Sequence, residues 1–96
     1  MLIKAGVDIS KLIKPCRKAL GPCEKFYGHR DSELVITSTY EGTHSPGSLH
    51  YANQAFDLRL PVPHYPDFVP FLRELLGPNF DVVFETNHIH VEYDPK

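Results

Sequence analysis

The last segment of this chain alternates polar and apolar side chains, and that alternation restricts it to a half-buried β-strand. Two sets of side chains interleave along residues 88–93, one that can bind protons or metals and one that is apolar: His88, His90 and Glu92, then Ile89, Val91 and Tyr93. Because successive side chains of a strand point to opposite faces, each set has a face of its own. Phe80–Phe84 reads as a second strand, joined to the first by a tight turn around Thr86-Asn87. We therefore expect the chain to end in an antiparallel hairpin.

Two further strands and one clear helix are predicted from composition and spacing. The β-branched run Glu33–Thr39 and the run Ala55–Leu60, which ends at Pro61, are typical of strands. Asp67–Leu76 carries apolar residues at helical spacing and stops before Gly77-Pro78, so it predicts an amphipathic helix.

The N-terminal third predicts two short helices. Asp8 or Ser10 can cap the first, and Pro15 suits the first turn of a second that reaches Leu20. Gly21-Pro22 is expected to stop that helix. Loops are expected at Glu41–Gly47 and, extended or turning, at Pro61–Pro66.

A chain of 96 residues has room for one domain and one core. Helices first and then an antiparallel sheet predict the α+β class, with the helices packed on one face of a small sheet. Residues 1–32 would supply the N-terminal helices, and residues 33–93 the sheet core. The polar side chains would occupy the open face.

Charge and hydropathy favour a protein that binds neither nucleic acid nor membranes. Ten Lys and Arg residues against twelve Asp and Glu residues give a formal net charge of −2, and no apolar run approaches the roughly 20 residues that span a bilayer. The first residues lack the features of a secretory signal, so we expect synthesis in the cytoplasm without a signal peptide. We also expect a monomer.

Cys16 and Cys23 are the only cysteines. They could form a disulfide or be buried as inert thiols. The missing export signal favours inert thiols, because disulfides persist mainly in oxidising compartments.

Metal-ligating residues fall into two blocks, and alternation directs both to the open face. His50 and Asp57 lie seven residues apart in the first block, and His88 and His90 lie in the second. Imidazole and carboxylate ligands without a thiolate suit zinc, which keeps an open position in hydrolytic sites. Taken singly, each histidine is more often a packing or surface residue, and Asp57 could instead pair with Arg59.

The two blocks carry the motifs of a known family. Residues 48–57 match the pattern Ser-x-His-x-x-Gly-x-Ala-x-Asp except at Asn53, which replaces a glycine where φ is positive and Asn is the next best residue. Residues 88–92 match His-x-His followed by an apolar residue and an acid. Over residues 33–93 the chain resembles the zinc peptidases that cut peptidoglycan stem peptides. These are the D-alanyl-D-alanine carboxypeptidases and L-alanyl-D-glutamate endopeptidases, which share their metal site with the hedgehog signalling domain.

The resemblance implies one zinc ion bound by His50, Asp57 and His90. His88 would assist by hydrogen bonding to water or to the oxyanion, and Glu85 would be the general base. An alternative register, Glu-x-x-His, would make His88 the ligand, but Val91-Glu92 after His90 matches the family better. Glu85 could also be an exposed hairpin carboxylate.

The resemblance also places Ser48 and His44 near the substrate, although either could be an ordinary loop residue. Glu41 stands where many relatives have an Arg that holds the substrate carboxylate. The absence of that Arg favours an endopeptidase over a carboxypeptidase, or a different peptide altogether. Arg30, Arg59 and Arg73 are the candidates to supply the cation that a carboxypeptidase needs.

The expected function is hydrolysis of an amide bond in bacterial cell-wall peptide by a zinc metallopeptidase. A small catalytic domain without an export signal suits a phage-encoded endolysin or wall-penetration enzyme that acts after release or delivery. The alternative is a zinc-stabilised binding module without catalysis, as in hedgehog domains. A plain structural domain without metal is the third hypothesis.

Overall fold

A computed structural model of the protein describes residues 1–39, 53–61 and 66–95. In these ranges five strands form one sheet, in the order β1-β2-β3-β5-β4, and two helices pack against it. The elements are β1 (Leu2–Ile3), α1 (Lys14–Gly28), β2 (Val35–Ser38), β3 (Ala55–Arg59), α2 (Phe68–Leu76), β4 (Phe80–Phe84) and β5 (His88–Tyr93). The α+β class is confirmed. The loop expected at Glu41–Gly47 and most of the segment Pro61–Pro66 lie outside the described residues.

The sheet is antiparallel except at one edge. β2 pairs with β3, β3 with β5 and β5 with β4 in antiparallel fashion, and the expected C-terminal hairpin is confirmed at its expected bounds. β1, which sequence patterns do not predict, runs parallel to β2. Its two residues are too few to show any alternation, so pairing with β2 alone makes them a strand.

Helix α2 forms where its amphipathic pattern predicts it. Phe68, Val69 and Leu72 are buried against the sheet, and Pro70 lies in the first turn, where a missing N–H costs little. Gly77 ends the helix with a φ of +87°, a value that glycine adopts without strain. The Gly77 N–H donates to the carbonyl of Arg73 over 3.0 Å.

Helix α1 does not stop at Gly21-Pro22, so that expectation was wrong. It continues to Gly28 with Pro22 in its interior. Five residues spaced three or four apart along the whole helix are buried: Cys16, Ala19, Leu20, Cys23 and Tyr27. Pro22 is on the exposed side, where water can hydrate the carbonyl that lacks its helical partner. Burial of this apolar stripe therefore outweighs the cost of one proline.

The short helix expected near Asp8 and Ser10 is also absent from this described segment. The Asp8 carboxylate instead accepts the N–H of Ser10 over 2.8 Å, and the Leu12 N–H donates to the Ile9 carbonyl over 3.2 Å. These local bonds form a turn in place of a helix cap.

The core lies between the helices and one face of the sheet. Phe56 and Leu58 of β3 and Ile89 and Val91 of β5 are fully buried there. The Tyr27 hydroxyl donates to the Arg59 carbonyl over 2.8 Å, which ties α1 to β3. Neither of the two helices in the described residues has the length and apolar content needed to cross a bilayer.

Both cysteines are free and fully buried, as the sequence suggested. Burial raises the pKa of the Cys16 thiol to about 11 and that of the Cys23 thiol to about 12. Both thiols are therefore protonated at neutral pH.

Candidate metal centre

The register between β3 and β5 brings the two motif blocks together. Asp57 lies directly opposite His90, with Arg59 opposite His88 on one side and Ala55 opposite Glu92 on the other. Residues directly opposite in an antiparallel pair have Cβ atoms roughly 5 Å apart on the same face. The pairing therefore places the Asp57 carboxylate beside the histidines on the face of the sheet opposite the core.

Asp57 is the centre of this cluster. Its Oδ1 lies 3.1 Å from His90 Nδ1 and 3.7 Å from His88 Nε2. The residue is only 6% exposed, and a buried carboxylate requires partners that offset its lost hydration. Of the two imidazoles, that of His90 is the closer to Asp57.

His90 is held by carboxylates at both ring nitrogens. Nδ1 faces Asp57, and Nε2 lies 2.7 Å from Glu92 Oε1. The hydrogen bond to Asp57, followed by that to Glu92, raises the pKa of His90 above its usual value against the opposing effect of burial. Because both ring nitrogens of His90 face a carboxylate acceptor, the protonated imidazolium form is favoured in the metal-free protein.

His88 has a different environment one pleat away. Its Nδ1 lies 2.6 Å from Asn87 Oδ1. The amide oxygen of Asn87 can accept a hydrogen bond from Nδ1–H. With the amide turned over, its NH2 group can instead donate to an unprotonated Nδ1 and leave the ring proton on Nε2. The Nε2 edge faces Asp57.

The Asp57–His90 pair fits the donor spacing of a zinc site. Two ligand atoms held tetrahedrally around zinc lie roughly 3.3 Å apart, and Asp57 Oδ1 and His90 Nδ1 are separated by 3.1 Å. Ligating histidines almost always give their second ring N–H to a carboxylate, and Glu92 stands at that place. The same pair is also a satisfactory ion pair without metal.

Glu85 lies just before β5 but is not in contact with this pair. Its backbone N–H donates to the His88 carbonyl over 2.9 Å, and the residue is exposed. Within the described ranges, no side chain bonds to the Glu85 carboxylate. The role of Glu85 as the base therefore stays a prediction.

The remaining expected site residues, His50, Ser48 and His44, lie outside the described residues. Asn53, which begins the described part of that motif, has a φ of +60°. The positive φ expected at this glycine position is therefore confirmed. Asn is among the few residues that adopt it readily.

A polar cleft of about 310 Å³ adjoins Asp57 and His88, and side chains from four further residues line it: Lys4, Thr37, Arg59 and Asn87. The β2–β3 register shifts between Ile36 and Ser38. Such irregularities re-aim side chains beside sites, and Thr37 lies within this one. The Lys4 N–H donates to the Ile36 carbonyl over 3.0 Å, which holds Lys4 at the cleft.

Of the three arginines considered as carboxylate binders, only Arg59 lines the cleft. Arg73 Nε donates to the Val82 carbonyl over 2.8 Å. The Arg30 guanidinium lies 4.1 Å from the centre of the Phe26 ring, on the helical side of the molecule. Sequence reasoning left this choice open because it depends on which residues the fold places together.

An acidic group that sequence reasoning missed lies beside the centre. Asp81, Glu92 and Asp94 have carboxylate oxygens within 4.8 Å of one another, because the hairpin register places Asp81 opposite Glu92. Counting residue pairs back from the hairpin turn predicts the pairing of Asp81 with Glu92. Glu92 is therefore a member of this acidic group and also the hydrogen-bond partner of His90.

A search of protein-family models and a search of curated proteins found no match to this chain.

Proposed function

We propose that this protein is a zinc-dependent peptidase that hydrolyses an amide bond in peptidoglycan stem peptides. The observation that carries the proposal is the pair of Asp57 Oδ1 and His90 Nδ1, 3.1 Å apart, with Glu92 on the other ring nitrogen. Two side chains 33 residues apart in the sequence meet at ligand spacing, and both belong to the motifs that resemble the family. Glu92 would orient the imidazole and increase its basicity.

Each residue of the centre has a separate task in this proposal. Asp57 and His90 bind the ion together with His50, which the resemblance supplies. Bound zinc polarises a carbonyl and lowers the pKa of a water molecule. The Glu85 carboxylate takes a proton from the attacking water and passes it to the leaving amine nitrogen. His88 donates from Nε2 to the oxyanion that develops on the substrate carbonyl.

The lining of the cleft supports an anionic peptide as the proposed substrate. Lys4 and Arg59 bring two positive charges to the walls that also contain Asp57 and His88. A guanidinium can bind a carboxylate through two parallel hydrogen bonds. Arg59 thereby takes the role that Glu41 cannot fill, and it does so from β3.

The decisive experiment compares the wild-type protein with Glu85→Ala on purified peptidoglycan. Zinc content is measured by elemental analysis, and released termini are identified by mass spectrometry. We expect one zinc per chain in both proteins and a loss of hydrolysis by at least about 100-fold in the variant, since general acid–base catalysis contributes about that much or more. New N-terminal D-Glu would identify an endopeptidase, and free D-Ala a carboxypeptidase.

Other results would select another function. Stoichiometric zinc without hydrolysis by the wild-type protein would identify the zinc-stabilised binding module. Absence of zinc from the purified protein would favour the plain structural domain. Equal hydrolysis by wild type and Glu85→Ala would remove Glu85 from the mechanism.

A further inference from the structure

A second concave surface lies between the solvent-facing sides of α1 and α2, which we call the helical groove. It encloses about 600 Å³, and its apolar walls are Gly21, Pro22, Phe26 and Leu75. The helix residues that face the sheet are different ones, among them Cys23 and Phe68. The helices therefore separate this groove from the candidate metal centre.

Among the described residues, the polar rim of the helical groove is basic or imidazole. Lys25, His29 and Arg30 line it, and no carboxylate of the described ranges does. Across the described ranges, none of these three side chains forms an ion pair with an acidic residue. An apolar wall with unpaired cations along one edge complements a ligand that has an apolar body and an anionic head.

Arg30 is preorganised for such a head group. Its guanidinium lies over the Phe26 ring at 4.1 Å from the centroid, and at 5.5 Å and 5.7 Å from those of Phe68 and Phe71. Stacking of this kind holds the planar group in place without using its in-plane N–H donors. Those donors stay available to a carboxylate at the mouth of the groove.

We propose that the helical groove binds a free amphipathic carboxylate, a molecule with one apolar tail and one anionic head. The tail lies against Phe26, Pro22 and Leu75, and the head meets Arg30 with Lys25 beside it. The volume falls within the usual range of small-molecule sites, roughly 300 to 1,000 Å³. The inference is independent of zinc and of peptide hydrolysis.

Gly21 offers a direct test, since a Cβ built there meets nothing within 4 Å. Gly21→Leu would place a branched apolar side chain in the helical groove, and Gly28→Leu, where a Cβ also meets nothing within 4 Å and which lies outside the groove, is the matched control. The probe is laurate below its critical micelle concentration, titrated by calorimetry. We expect Gly21→Leu to weaken laurate binding at least about 10-fold and Gly28→Leu to change it less than about twofold.

The head group is tested with dodecanol and with Arg30→Gln. Dodecanol keeps the tail and removes the charge, so it should bind wild type at least about 10-fold more weakly than laurate does. Arg30→Gln should weaken laurate by a similar factor while leaving dodecanol unchanged. Arg30→Lys keeps the charge and loses the planar fork, so its affinity for laurate should fall between those of wild type and Arg30→Gln.

Four results would overturn the proposal. One is equal binding of laurate by wild type and Gly21→Leu, and another is equal binding of laurate and dodecanol by wild type. A third is association with phosphatidylglycerol vesicles in the absence of laurate binding, which would make the surface a membrane contact. The fourth is a concentration-dependent dimer that Gly21→Leu abolishes, which would assign the groove to a second copy of the chain.

Discussion

Asp57 shows how one residue determines the chemistry available on the sheet face opposite the core. A carboxylate at 6% exposure is costly unless positive or hydrogen-bonding groups surround it. Here two imidazoles supply them, at 3.1 Å and 3.7 Å. A zinc ion would take the place of the proton shared between Asp57 and His90, because metal and proton compete for the same lone pairs. The geometry is therefore suited to both the metal-free and the metal-bound protein.

We predict that Asp57→Asn lowers zinc affinity by more than about 100-fold. The substitution keeps the shape of the side chain and removes the charged oxygen ligand, whereas loss of a second-shell partner costs about 10- to 100-fold. Titration with a competing chromophoric chelator measures the affinity. Asp81→Asn is the control, since Asp81 belongs to the neighbouring acidic group and not to the Asp57–His90 pair. If Asp81→Asn loses zinc and Asp57→Asn binds it normally, the zinc site is the acidic group and not the Asp57–His90 pair.

Arg59 is the residue at which the substrate proposal can be tested. Arg59→Gln should raise KM for an acidic stem peptide roughly 10- to 100-fold, because a hydrogen bond to a charged group is lost. Zinc content and kcat should stay near wild type, since Arg59 binds neither metal nor reacting atoms in this scheme. Arg17→Gln, an exposed change on α1, is the control. An unchanged KM in Arg59→Gln would leave the cleft without a role in carboxylate recognition.

At the scale of elements, α1 is a case in which tertiary packing overrides local signals. Gly21-Pro22 interrupts a short helix in isolation, yet the buried stripe that ends at Tyr27 extends the helix to Gly28. The Tyr27 ring also packs edge-on against Phe68 of α2, with centroids 5.1 Å apart. A helix that buries its second half against two other elements gains more than the proline costs.

Pro22→Ala should therefore stabilise the protein, by roughly 1 to 2 kcal/mol. Alanine restores the backbone N–H and relieves the clash with the preceding turn, and a gain in unfolded-chain entropy offsets part of the benefit. The free energy of unfolding from urea titration measures the effect. Lower stability of the variant would mean that the bend at Pro22 is needed for the contact between α1 and the sheet.

At the scale of the whole molecule, one core joins both helices to four of the five described strands. Residues of α1, α2 and four strands share a single buried cluster, and both cysteines lie within it. A core of this kind opens as a unit, which is usual for a domain of this size. The thiols can therefore report on global unfolding.

Burial of the two thiols predicts how the free energy of unfolding changes with pH. Their pKa values are raised to about 11 and about 12 in the fold, so between pH 9 and pH 11 the unfolded chain loses these protons while the native protein keeps them. Stability contributed by the protonated thiols is complete below about pH 8.5 and falls as the pH rises through this window. We expect the free energy of unfolding to decrease above pH 9, and less steeply in the Cys16→Ala/Cys23→Ala double variant.

Reactivity with a disulfide reagent supplies an independent measurement of the same burial. Both thiols should be unreactive at pH 8 in the native protein and react at once in denaturing urea. Rapid native-state modification at pH 8 would show that the region around Cys16 and Cys23 opens locally without global unfolding.

Local patterns predicted the hairpin, α2 and the division of His88 and His90 from Ile89 and Val91. These depend on strand and helix periods, which neighbouring residues determine. The expected zinc ligands were chosen in the same way, from motif residues on a shared face, and zinc itself stays a prediction. The two-residue β1, the second half of α1 and the choice of Arg59 among three arginines all depend on distant partners, and local patterns could not supply them.

The sequence by itself determined which side chains share a face, because alternation along a strand requires no knowledge of the strand's neighbours. Only the tertiary structure decided that His90, and not His88, stands opposite Asp57, and that Glu92 holds its second nitrogen. A shift of one residue in the β3–β5 pairing would have turned the Asp57 side chain toward the core. The register is determined by the fit of Phe56 and Leu58 against Ile89, Val91 and the helices, a packing problem that involves the whole core.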